Sequence, residues 1–551
     1  MLQKIKRLTF TDWLLLAALL ILGSFHEFLS CGLSAVMCGY LCIRAMKKKQ
    51  LNMPGGLGFY AVLTLSLFYG ATLLWAVDRG MAFVGFLKFL PLPLYLLCLR
   101  QEEREGQVLR LLPYVAAAVA ALTALGMQLP GGKQLFSVAD RLAGCFQYPN
   151  TFALLLLVCQ LLLVEKEGKK WWDYGVIAIL LAGILYTGSR TVFAVAILSN
   201  IAMLLLLVKK RSRAVLLLLG GAGVLILVIL GLSGNAVIGR FLRFSLTEST
   251  LVGRILYVVD ALPLLLRYPF GMGYLGYAYI QGSVQTGLYS VTYIHNELVQ
   301  LLLDVGWLPV VFCLFALGKW FLGKSVAVSR KIIVAAICLH SLFDFNYQFV
   351  GMFMLLLLLT DRPEKAAPKR SAGIGLAVLG AVCLYMGVAL LLGFLGAEKA
   401  ADALYPGNTR NKLAMLEQVT TQEEGDRISD EILRINRAYF APYMVKGKYA
   451  YSRGDFGNVI QYFTKAIEKN PFDHTLYEEY GKYLAIGIEL YQKNGDQRSA
   501  ETCARELITL EDRLSANKDR LSSLGKRITD QPVMELSQQL QELIRQLKGG
   551  K

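Results

Sequence analysis

One of only four histidines in the chain, His295, heads the stretch YIHNELVQLLLDVGWLPV (293–310) and is followed at once by Asn296, Glu297 and an apolar run. An imidazole titrates near neutrality, so it can take a proton from a hydroxyl or return one. Three arginines stand upstream in short, organised stretches: Arg141 in RLAGCFQYPNTFA, Arg190 in TGSRTVFA and Arg254 in GRILYVVDALPLLLRYPFGMG. A guanidinium forks onto phosphate and keeps its charge at any working pH. Arginines with an imidazole suit an anionic ligand whose chemistry moves a proton.

The chain that must position these residues is mostly apolar. Its 551 residues are 55% hydrophobic with a mean hydropathy of +0.48, too apolar and too long for one soluble domain. Runs at 13–29, 59–77, 191–208, 214–232 and 375–395 can each span or nearly span a bilayer, and roughly thirteen such segments are expected in all. The expected fold is all-α: a polytopic membrane domain over 1–396 with about 12–13 transmembrane helices, an external segment near 234–297, and a helical domain over 397–551.

Lysine and arginine set the expected orientation. Dense clusters at 44–49, 100–110, 166–170, 209–213, 319–331 and 362–370 alternate with connections that hold only Arg79, Lys133, Arg141, Arg190, Arg240, Arg243, Arg254 and Arg267. The positive-inside rule then places the N-terminus in the cytoplasm, and His295, the sparse connections and the C-terminal tail outside the cytoplasmic (inner) membrane. Lys4, Lys6 and Arg7 precede a first span with no small-residue cleavage site, so that span is expected to stay as an anchor. Lys88 falls inside an expected span. The tail from Glu398 carries 23 basic and 23 acidic residues, so the whole +17 net charge sits in the membrane half. That distribution meets lipid headgroups and argues against nucleic acid. The outward basic residues are seven arginines and one lysine, a bias that favours an anionic ligand; snorkelling to headgroups is the structural alternative. Of ten cysteines, only Cys503 lies in the tail, which therefore holds no internal disulfide.

In the tail, Gly447, Phe463, Ala466 and Pro471 have the spacing of a 34-residue tetratricopeptide helical hairpin. A degenerate second copy follows with Tyr477 and Gly481. So short a repeat array is expected to dock something or pack on the membrane part; the plain alternative is a mere stabilising cap.

The order Arg141-x-x-Gly144, Pro149-Asn150, Ser189-Arg190, Gly253-Arg254, Pro269-x-Gly271-x-Gly273 and His295-Asn296, with Gly306 beyond and HSLFDFN at 340–346, resembles the O-antigen ligase and polymerase superfamily over about residues 10–395. The resemblance implies a membrane glycosyltransferase that takes a glycan from undecaprenyl diphosphate at the outer leaflet and works without metal, nucleotide sugar or other cofactor. Its acceptor would be a glycan, a lipid or a protein hydroxyl. In such chemistry Arg190 and Arg254 bind the diphosphate, Arg141 completes the clamp, and His295 serves as general base or orients the acceptor. Tyr148 and Asn150 would line the pocket, with Ser189 in a supporting position. Asn150 is equally a helix cap, and Asn296 either orients the imidazole or caps the helix behind it. His340 stands four residues before Asp344, a spacing that allows contact on a helix. Its role is functional or structural. His295 and Asp304 lie nine residues apart, nearly on opposite helix faces, so a direct pair is not expected. Ligase and polymerase differ only in the acceptor; a lipid-linked glycan flippase is the rival class.

Overall fold

The computed structural model describes residues 7–102, 106–208, 249–361, 367–370, 373–528 and 534–549. The expected span 214–232, the cluster 209–213 and the arginines Arg240 and Arg243 lie outside the described residues.

The described residues are mostly helical, with two short two-stranded sheets. Among the described residues, five helical stretches are long and apolar enough to cross a membrane: Glu27–Lys48, Leu57–Leu74, Arg79–Leu99, Val108–Gly126 and Ile374–Phe394. Shorter apolar helices pack among them, including Phe10–Leu20, Pro149–Glu165, Trp171–Tyr186, Trp307–Leu322 and Val350–Thr360. This makes the protein a multi-pass membrane protein. Arg79–Leu99 and Pro149–Glu165 are the most enclosed, and nearly every side chain of Pro149–Glu165 is buried, as all-round apolar character requires.

One expected span is corrected. The run 13–29 is not a single helix, because Leu22, Gly23 and Ser24 all take positive φ and the first helix stops at Leu20. Only glycine enters that region without cost. Phe146 and Phe349 crowd the α-carbon of Gly23 so closely that a methyl there would lie 2.4 Å from Phe146. The break frees Glu27 to start the next helix at the same end of the bundle as the site.

The segments separate onto two ends. At one, Gln50–Met53 pairs antiparallel with Ala367–Arg370, Arg100 pairs with Asp361, Thr11 bonds Glu102 and Ser329 bonds Glu165. These belong to or adjoin the lysine-rich connections. At the other end, Asp78, Gly80, Glu27 and Thr286 all meet the C-terminal tail.

The described residues of the tail form helices joined by turns and loops, with no strand among them. Gly447 lets helix Ala441–Ser452 close onto Phe463 of Phe456–Lys469, where a β-carbon would stand 2.6 Å from the ring. Phe463 stacks on Tyr480 of the next helix at 5.3 Å between centroids. The tail packs on the membrane part. Tyr405 donates to the Gly80 carbonyl at 2.8 Å, Asn436 to Asp78 at 3.0 Å, and Ser522 N–H to the Thr286 carbonyl at 2.9 Å.

The glycines flanking the site have a backbone cause. Met272 and Gly273 N–H donate to the carbonyls of Leu303 and Asp304 at 2.7 and 3.0 Å, and Trp307 N–H donates to Pro269 at 3.0 Å. Two chain segments cross here with no room for a side chain between them. A β-carbon on Gly271 would meet Asp304 O at 2.4 Å, and one on Gly306 would meet Pro269 O at 2.3 Å. Both also have positive φ, +81° and +79°. Gly271→Ala or Gly306→Ala is expected to destabilise the protein by about 1–3 kcal/mol from backbone strain alone, read as a fall in unfolding temperature in detergent. A wild-type melt would contradict the crossing.

Candidate active site

Asp344 is the centre of the site. Helix Val328–Ser341 ends before it, so the carboxylate sits in a connection and is fully buried. Tyr148 OH donates to its Oδ1 at 2.8 Å, Asn150 Nδ2 to Oδ2 at 2.7 Å, and Phe345 N–H to Oδ1 at 3.0 Å. The Arg254 guanidinium pairs with Oδ2 at 3.5 Å and stays one-fifth exposed. Burial pushes the Asp344 carboxyl up, but Arg254, the two nearby histidines and the Tyr148 hydroxyl pull harder and hold it below its ordinary range. A buried anion thus orients one arginine of the expected clamp.

Arg141 arrives by a hairpin. Ser137–Val138 pairs with Arg141–Leu142, and Ala139 and Asp140 between them both have positive φ, the geometry of a tight two-residue turn. Arg141 Nε then donates to the Thr187 carbonyl at 2.7 Å and its terminal nitrogen to Asn150 Oδ1 at 2.5 Å. Asn150 therefore bridges Arg141 and Asp344 rather than capping a helix; Pro149–Glu165 starts one residue earlier and has no side-chain cap.

Ser189 and Arg190 follow Gly188 at φ +62°. Ser189 is buried, and its carbonyl accepts from Phe193 N–H at 2.9 Å as the helix Arg190–Val208 begins. Arg190 is half-buried at that helix start. The next residue, Thr191, bonds His340 Nε2 at 3.2 Å. Asn346 bonds His340 Nδ1 at 2.9 Å and itself accepts from Thr151. His340 and Asp344 share no hydrogen bond: the helix ends at Ser341, before Asp344, and the imidazole nitrogens bond Thr191 and Asn346. His340 is a buried bracket between helices.

His295 lies outside the apolar helices, in the connection that enters Glu297–Val305. Its ring meets Phe345 edge-on at 5.1 Å and Tyr257 at 6.0 Å. Its Nδ1 is buried and finds no hydrogen-bond partner. Burial lowers the His295 pKa most, Asp344 opposes this and Arg254 adds to it, so the ring sits below its ordinary 6.5. A neutral imidazole can accept a proton. Asn296 is the helix cap, accepting from Val299 N–H at 3.1 Å. Asp304 stays away from His295, as expected, and takes bonds from Tyr69 and Gln300 at 2.9 Å each.

Helix Ser249–Arg267 carries Arg254, Tyr257 and Asp260 at spacings of three, which puts them on one face. Asp260 gathers Thr286 N–H, Thr286 Oγ1 and Tyr289 OH at 2.7–2.9 Å, so the face that presents Arg254 also ties down the loop toward His295.

Two buried charged residues named in the sequence had no site role assigned to them there. Glu297 is buried and accepts from Tyr347 N–H at 3.0 Å and Gln348 at 3.1 Å. Lys88 is fully buried and donates to Tyr274 OH at 3.0 Å. The available signal was a charge inside an apolar run, since such residues are costly unless used. An apolar cavity of about 300 Å³ runs between the bundle helices from Arg100 and Asp361 to Glu297 and Ser341. Among the described residues, no three His, Cys, Asp or Glu side chains gather as a metal ion would need.

No curated protein and no solved structure matches the chain. The sequence model of the O-antigen ligase family matches residues 175–315, a narrower stretch than the motifs span. It includes Ser189, Arg190, Arg254, Gly271, Gly273, His295, Asn296 and Gly306, whereas Arg141, Tyr148, Asn150, His340 and Asp344 lie outside it and join them only in the fold. With its membrane-crossing helices, the match supports a membrane enzyme of the O-antigen ligase and polymerase type.

Proposed function

We propose that this protein moves a glycan from undecaprenyl diphosphate to an acceptor hydroxyl at the outer face of the cytoplasmic membrane. The convergence of Tyr148, Asn150 and Arg254 on buried Asp344, with Arg141 bonded to Asn150 and His295 beside them, carries this reading. The acceptor oxygen attacks the anomeric carbon, the bond from that carbon to the diphosphate oxygen breaks, and the lipid diphosphate leaves with the electron pair. Arg254 and Arg190, with Arg141 behind them, stabilise that growing negative charge. His295 accepts the hydroxyl proton. The apolar cavity ending at Glu297 and Ser341 is suited to the hydrocarbon of a lipid donor. The domain boundary falls after residue 396, and the tail is read as an extracytoplasmic tetratricopeptide-like cap.

The test is transfer of a labelled undecaprenyl-diphosphate glycan in purified membranes without added metal or ATP. Label must move to a new acceptor; a single addition identifies a ligase and a ladder a polymerase. Donor that only crosses the bilayer would replace this reading with a flippase. Arg254→Ala or Arg190→Ala is expected to lower transfer by about 10²–10³-fold, the usual loss when one charge-stabilising donor is removed. Lys133→Ala, in an exposed pair with Asp140 at 3.5 Å, should leave it unchanged. Equal loss in all three variants would refute a specific clamp.

A further inference from the structure

The tail reaches into the membrane part at a point that leads to His295. Arg410, in helix Thr409–Gln418, pairs with Glu27 at 2.8 Å. Glu27 also accepts from Tyr274 OH at 2.7 Å. Tyr274 and Tyr293 share a hydroxyl bond of 2.6 Å; with the Tyr274 proton on Glu27, Tyr293 is the donor. Lys88 donates to both hydroxyls, at 3.0 and 3.4 Å. Tyr293 is two residues before His295. A second tail contact holds the same segment further back, where Ser522 N–H and hydroxyl meet Thr286 at 2.9 and 3.0 Å. Thr286 is itself bound to Asp260 on the helix that presents Arg254.

The imidazole needs such support. No hydrogen bond to Nδ1 orients it, so its place depends on ring contacts and on the backbone of 293–296. That backbone is fixed on one side by Gln300, which accepts from Ile294 N–H at 2.8 Å, and on the other by the Tyr293 hydroxyl.

We propose that the C-terminal helical domain is part of the site: Arg410, through Glu27 and the Tyr274 and Tyr293 hydroxyls, positions the 293–296 segment and with it the imidazole of His295. Arg410 touches no reacting atom in this scheme and is a positioning residue. The proposal rests on the reading of His295 as the acceptor base.

The experiment uses the full chain in nanodiscs, with Arg410→Ala, Arg410→Lys and Tyr293→Phe. The last removes one hydroxyl and keeps the ring packed against Phe25 and Phe345. Two readouts are taken: kcat and KM for the labelled undecaprenyl-diphosphate glycan, and the rate at which diethyl pyrocarbonate modifies His295, followed by peptide mass spectrometry. Misplacing a catalytic group by about 1 Å can cost about 10²-fold, so Arg410→Ala should lower kcat by up to that factor with KM for the donor little changed. Tyr293→Phe should follow it, Arg410→Lys should recover most of the rate, and the reactivity of His295 should shift in Arg410→Ala and Tyr293→Phe only. Wild-type kcat and wild-type His295 reactivity in Arg410→Ala would overturn the proposal, as would a loss confined to KM. If wild type fails to transfer while His295 reactivity still follows Arg410, the glycosyltransferase reading falls and the positioning contact stands.

Discussion

His295→Ala is expected to lower glycan transfer by about 10²–10⁴-fold, the range general bases contribute, while the protein stays inserted and folded. Nothing in the structure relies on the imidazole for hydrogen bonding through Nδ1, so its removal takes away chemistry more than support. The pH dependence follows from the same surroundings. Burial dominates the field on the ring and lowers its pKa from 6.5, against the pull of Asp344. The base form therefore prevails at neutral pH. Transfer should rise as pH climbs through this lowered pKa and level off before neutrality. The linked stability effect has the same sign: below about 6.5 the unfolded chain takes up the His295 proton more readily than the folded one, so stability declines as pH falls. A His295→Ala protein with full activity, or a wild-type rate that rises only above pH 8, would exclude this histidine as the base.

Asp344→Ala carries the second large effect. The carboxylate accepts from Tyr148, Asn150 and Phe345 N–H and faces Arg254. Breaking a buried charge pair by removing one partner costs about 3–5 kcal/mol, because the other charge loses its compensation. Arg254 keeps some solvent, so the lower end is expected, with transfer lost as well. Asp344→Asn separates the two consequences. The amide preserves volume and one acceptor oxygen, so stability should fall less, yet Arg254 and Asn150 lose the anion that aims them and transfer should still collapse. An Asp344→Ala melt within error of wild type would mean that the carboxylate does not hold the cluster together.

These two residues differ in how visible they were before folding. His295 stood out because a titratable side chain beside an apolar run is rare and costly, and the arginines of the sparsely charged connections stood out through their bias over lysine. Asp344 was noticed only as a neighbour of His340 in the sequence, and it lies beyond the helix, which stops at Ser341. Its real partners, Tyr148, Asn150 and Arg254, lie between 90 and 196 positions away, and no periodicity reports on contacts at that range. Asn150 shows the same limit: after proline, a cap and a bridge are indistinguishable until Arg141 and Asp344 are brought to its two ends.

The membrane class, the helical fold and the residue types of the site were determined by the sequence alone, because apolar length and charge asymmetry act locally and need no partner to be felt. The glycines at 271 and 306 were visible as a pattern, but their cause is the crossing of two backbones. Tertiary structure alone decided that the first apolar run breaks at Leu22–Ser24, and that Lys88 and Glu27 form one buried cluster. It also decided that the tail, through Arg410 and Ser522, sits on the segment leading to His295. Those outcomes depend on which distant groups can satisfy a buried charge or hydroxyl, and a buried polar group accepts whichever partner the completed packing delivers.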